Sequence, residues 1–97
     1  MTHTPVEVLK KARRIIARRR FAQGDAVFRR GATCSALAIW SAAKNIDIGI
    51  EMSAIAFVKQ AAGTKHRFLS HWHDAPGRTK EQVLRVFDKA IALASSP

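Results

Sequence analysis

Seven basic side chains crowd the segment from residue 10 to residue 20: Lys10, Lys11, Arg13, Arg14, Arg18, Arg19 and Arg20. Nine of the seventeen lysines and arginines precede Ala32, against two acids, Glu7 and Asp25. Lys10, Arg14 and Arg18 recur at i, i+4, i+8, which on a helix lines up three cations along roughly 12 Å. Such a row neutralises phosphates, and each contact steepens the salt dependence of binding. Lys11 and Arg19, with Arg29 and Arg30 in the next loop, extend the row. The expected nucleic-acid-binding residues are therefore Lys10, Lys11, Arg14, Arg18, Arg19, Arg29 and Arg30. Tyrosine is absent and exposed aromatics are few, which speaks against stacking on single strands. A long Gly-containing segment follows the helix, unlike the tight turn of a helix-turn-helix. Phosphate contact without sequence readout is the expected mode.

Two other groupings could carry chemistry. His66, His71, His73 and Asp74 fall within nine residues and all bear metal-ligating atoms. Their spacing matches no metal pattern and no thiolate is near, so neither metal nor cofactor is expected. The plainer reading has Asp74 accepting backbone hydrogen bonds in its own Pro-Gly turn, with the histidines at the turn's edge. The second grouping is Cys34, near a helix start beside Arg29 and Arg30, where a helix N-terminus and positive neighbours favour thiolate. With His71 or His73 as base and Gln23 as an oxyanion donor, it would make a cysteine nucleophile. A buried cysteine on an apolar helix is the commoner case, so an enzyme built on Cys34 ranks third among the readings, behind nucleic-acid and protein binding.

The elements that must position these groups read as helices. Thr4, Pro5 and Glu7 form a capped start, and Val8, Leu9, Ala12, Ile15 and Ile16 share an arc of about 120°. The first helix should run to about Arg20, with Lys10, Lys11, Arg14 and Arg18 on the opposite arc. Residues 21–33 read as a loop containing a short hairpin, with Phe21 and Phe28 pinned into the core. Thr33 caps a second helix from Cys34 to about Lys44, apolar nearly all round and hence central, stopped by Asn45. Asp47 caps a third, to about Ala62, with Gly63 as its stop. Residues 65–72 offer a single helical turn, and Asp74-Ala75-Pro76-Gly77 a chain reversal in which Arg78 pairs with Asp74. Thr79 and Gln82 form a second capping box, opening a last helix to about Ala94 on Val83, Leu84, Phe87 and Ile91. The expectation is an all-α single domain over residues 1–97, four main helices with a Gly-containing loop after the first.

The stretch Trp72-His73-Asp74-Ala75-Pro76-Gly77-Arg78-Thr79, followed by Val83-Leu84 and Phe87-Asp88-Lys89-Ala90-Ile91, resembles a family of short uncharacterised proteins of actinobacteria and their phages. In that family the turn reads Trp-Asn-Asp-x-Pro-Gly-Arg-Thr, after a Gly-containing loop and a Cys-Ala helix start. Here Gln23-Gly24 and Cys34-Ser35-Ala36 stand for the last two. His73 replaces the asparagine and Ser35 interrupts the Cys-Ala pair, which puts any role of that amide in doubt. The resemblance implies an accessory, phage-encoded protein and brings no activity with it.

A net charge of +10 and a pI near 11.2 favour an anionic partner over a merely solvated surface. DNA or RNA is the first expectation. An acidic host protein engaged by the same face is the alternative, and a homodimer is left open. One cysteine precludes an internal disulfide and fits a reducing compartment. No membrane-spanning run or signal peptide is evident, so the expected location is the cytoplasm.

Overall fold

The structure, a computed structural model, describes residues 3–96. The chain is all-α: α1 (Pro5–Arg18), α2 (Ser35–Ala42), α3 (Ile48–Ala62), a single turn α4 (Leu69–His73) and α5 (Lys80–Ser95). Two strands of two residues each, β1 (Arg20–Phe21) and β2 (Ala32–Thr33), are the sheet content among the described residues. Both capping boxes form. Glu7 N–H donates to Thr4 Oγ1 at 3.2 Å while Thr4 N–H returns to Glu7 Oε2 at 3.4 Å. Thr79 and Gln82 repeat the exchange at 3.2 and 3.0 Å. Asp47 caps α3 by accepting from Gly49 N–H at 2.6 Å. Asn45 and Gly63, at φ +67° and +65°, supply the left-handed residues after α2 and α3.

The core forms around α1, which packs against α5, α2 and α3. Its buried stripe of Val8, Leu9, Ala12 and Ile16 meets Ala38 and Ile39, Ala54 and Val58, and Val83, Phe87 and Ala90. Alanine at so many facing positions lets the helices approach closely. α2 is less central than its composition suggests, since Trp40 is 57% exposed.

The loop between α1 and α2 departs furthest from expectation. α1 stops at Arg18, and Arg20 leaves the helix to pair with Ala32. The strands run parallel, in register Arg20↔Ala32 and Phe21↔Thr33, so there is no hairpin. A parallel pair needs a crossover, supplied here by a loop with a 3-10 turn at Gly24–Phe28. Thr33 is thereby taken into β2, and Cys34 replaces it as the N-cap of α2. Phe28, 82% exposed, is no core pin, whereas Phe21 packs against the core and the His73 ring.

Candidate nucleic-acid interface

Lys10, Lys11, Arg14 and Arg18 are exposed on the side of α1 away from the Leu9–Ala12–Ile16 stripe, and Arg19, the residue that ends the helix, is exposed as well. Lys11, Arg14, Ile15, Arg18 and Arg19 rim a shallow recess of about 290 Å³. The β1–β2 pairing brings the second basic group to the end of this row. Arg20 N–H donates to Gly31 O at 2.9 Å and its Nη2 donates to Arg30 O at 3.1 Å. Arg29 and Arg30, both exposed, thus lie beside the C-terminal end of α1. Arg13 differs from its neighbours, making a bidentate pair with Asp88 of α5 at 2.5 and 3.2 Å. Being partly exposed, that pair contributes at most about 1 kcal/mol. Among the described residues the other ion pair is His3–Glu7, so none of the seven expected phosphate-binding residues has an acidic partner.

Two basic residues outside the expected seven join this face. Arg20 carries the strand that draws the Arg29–Arg30 loop in. Lys80 donates to Ala17 O and Arg19 O at 2.9 and 3.0 Å, placing a cation at the negative end of the α1 dipole. Arg20 at least belongs to the basic run, but nothing local to Lys80 signals its partner, which follows from α1–α5 packing alone.

The turn after α4 locks the loop that carries Arg29 and Arg30. His73 is 0% exposed, and its Nε2 lies 2.7 Å from Ala22 O. A carbonyl can only accept, so Nε2 carries the proton and Nδ1 is the acceptor. Ser35 N–H and Ser35 Oγ–H both donate to that Nδ1, at 3.2 and 2.7 Å. Gln23 Nε2 donates to His73 O and Ala75 O at 2.9 and 3.0 Å. Asp74 accepts from Gly24 N–H at 3.0 Å, rather than from its own turn. Arg78 turns not to Asp74 but to Trp72: Nε donates to Trp72 O at 3.1 Å, and the guanidinium lies 4.5 Å over the indole. Pro76 and Gly77, the latter at φ +81°, close the turn with Arg78 N–H donating to Ala75 O. The histidine cluster is therefore divided. His73 lies in the core, not at the turn's edge, while His66 and His71 are exposed with ring centres 6.3 Å apart. Among the described residues no three His, Cys, Asp or Glu side chains converge as metal ligands would.

Two members of the grouping around Cys34 are committed elsewhere. His73, one of the two expected bases, has both ring nitrogens engaged by Ser35 and Ala22, and Gln23 commits its amide to two carbonyls. Ser35 and His73 resemble a catalytic pair at 2.7 Å, but both are fully buried, out of reach of a substrate. Burial pushes the Cys34 thiol above its ordinary value, outweighing the Leu37 and Ala36 N–H groups that favour thiolate, and Asp74 adds to the rise. Desolvation thus works against the thiolate that a helix start beside arginines would favour, as the buried-cysteine reading expects. Alkylation of Cys34 near neutral pH should be at least about tenfold slower in the folded protein than in denaturant; equal rates would show an open thiol.

No helix among the described residues is long and apolar enough to cross a membrane. No curated protein and no solved structure matches the chain. Residues 1–93 do match the sequence profile described as "Family of unknown function (DUF6197)", and the chain belongs to that family.

Proposed function

We propose that this protein binds nucleic acid through phosphate contacts made by Lys10, Lys11, Arg14 and Arg18 of α1 and Arg19 at its end, continued by Arg29 and Arg30, without reading sequence. One observation carries the proposal: these seven cations are exposed, lack acidic partners among the described residues, and fall on one helix face, at its C-terminal end and on the loop tied to that end. Cations that repel one another and have no internal counter-charge gain most from an external polyanion. Spaced along a rigid rod, they offer a polyphosphate several contacts without ordering a flexible tail. The loop between β1 and β2 is held by the His73 relay, so Arg29 and Arg30 are presented by fixed backbone. The setting we propose is the cytoplasm, and the kinship suggested by the turn motif adds the reading of an accessory protein of actinobacteria or their phages.

Titration of the purified protein against duplex DNA, single-stranded DNA and RNA at two salt concentrations tests this. Four phosphate contacts predict roughly a hundredfold loss of affinity between about 50 and 200 mM salt. Absent or salt-insensitive binding would overturn it. Capture of a protein that survives nuclease treatment would instead favour an acidic protein as the partner of the same face.

A further inference from the structure

α3 carries a second, largely apolar stripe that lies mostly outside the core, with Ile55 packed against the core's edge. Its buried side is Ala54, Val58 and Ala61. On the other side Ile48, Met52, Ile55 and Lys59 fall at i, i+4, i+7 and i+11, within an arc of about 60°. Spacing that alternates four and three is that of a seam between two packed helices. Ile48 is 71% and Met52 63% exposed, with Trp40 and Phe68 more than half exposed beside them. The patch is continuous. Trp40, Ile48 and Glu51 share one shallow recess, Met52, Ile55 and Arg67 line the next, and the Arg67 guanidinium lies 5.6 Å over the Phe68 ring. Large apolar side chains this open in one patch mark an interaction surface.

The charges along the stripe say what covers it. Asp47 and Glu51, with Lys44 beside them, lie at its N-terminal end, and Lys59 and Arg67 at its C-terminal end. A helix turned end over end against itself sets the acidic end of each over the basic end of the other, with opposed dipoles. We infer that α3 pairs antiparallel with α3 of a second copy of this chain, about a two-fold axis between Met52 and Ile55. Met52 then packs on Ile55 of the second copy, and Glu51 lies near the second copy's Lys59 and Arg67. In a chain of net charge +10, this face sets two acids of each copy towards two cations of the other, with Lys44 as the like charge that the pairing must accommodate. The pairing is independent of the phosphate contacts proposed for α1, because the stripe belongs to another helix and α1's basic side stays uncovered.

Sedimentation equilibrium in nuclease-treated buffer decides the matter. The expected result is a concentration-dependent species of twice 10.7 kDa. Ile48→Glu with Met52→Glu should raise its dissociation constant by roughly a hundredfold or more, since the axis counts each loss twice. Both positions are exposed, so circular dichroism should show unchanged helix content. Glu51→Lys and Arg67→Glu should each weaken the dimer, and together restore it. A single-chain mass at every concentration up to the solubility limit would overturn the inference. So would a dimer indifferent to the glutamates, or charge changes that fail to compensate.

Discussion

Replacing His73 with alanine is expected to destabilise the fold by about 3–4 kcal/mol. The imidazole is fully buried and joins two segments distant in sequence, Ala22 through Nε2 and Ser35 through Nδ1. Without it, a carbonyl, an amide N–H and a hydroxyl are left unpaired inside the protein, each costing about 1–3 kcal/mol unless water enters the vacated volume. Equilibrium urea unfolding of the two proteins would show the loss as a lower midpoint at unchanged slope. A change below about 1 kcal/mol would mean that the cavity fills with water and the relay is dispensable. The same group makes stability depend on pH. Burial holds the His73 pKa below its ordinary 6.5, opposed by the Ala22 carbonyl and Asp74 and aided by Arg78. Protonation at Nδ1 would also set a new N–H against Ser35 N–H. The unfolded chain therefore binds a proton at a pH where the folded one does not. Stability from this residue is full above 6.5, falls as pH drops through that value, and levels off below the lowered folded pKa. An alanine variant should lose this part of the pH dependence.

What is readable in the sequence divides by range. Thr4 with Glu7, Asp47 with Gly49 and Thr79 with Gln82 act within three residues, so their types and spacing carry the helix starts directly. The basic face of α1 is readable for a similar reason: one helical period separates Leu9, Ala12 and Ile16 from Lys10, Arg14 and Arg18. The hydrogen-bond network around His73 and Gln23 is not readable, because its partners lie 38 to 52 residues apart. Polarity points His73 outward, and only the simultaneous approach of Ala22 and Ser35 compensates its burial. Phe28 fails in the opposite sense. Its apolar side chain reads as inward, but the parallel β1–β2 crossover puts the 3-10 turn outside the core. The stripe on α3 is hidden by composition, since a helix apolar on both sides gives no sign of which side the core takes.

Reversing two charges in the middle of the α1 row, Arg14→Glu with Arg18→Glu, should reduce nucleic-acid affinity about sixtyfold or more at ~0.1 M salt. Each neutralised phosphate contributes about 0.9 to the slope of log affinity against log salt, and so about eightfold in affinity at 0.1 M relative to 1 M. Releasing two phosphates multiplies to the stated figure, and repulsion by the new carboxylates adds to it. The salt slope should fall by about two, a signature that a folding defect does not produce. Both side chains are exposed and unpaired, so thermal stability should hold or improve as crowding of like charge is relieved. Arg85→Glu with Lys89→Glu changes net charge equally from exposed positions on α5. If that control weakened binding as much and with the same slope, only overall charge would matter and α1 would not be the site. A loss confined to the α1 variant would tie binding to the helix face, and the residual slope would measure the phosphates still held by Lys10, Lys11, Arg19, Arg29 and Arg30.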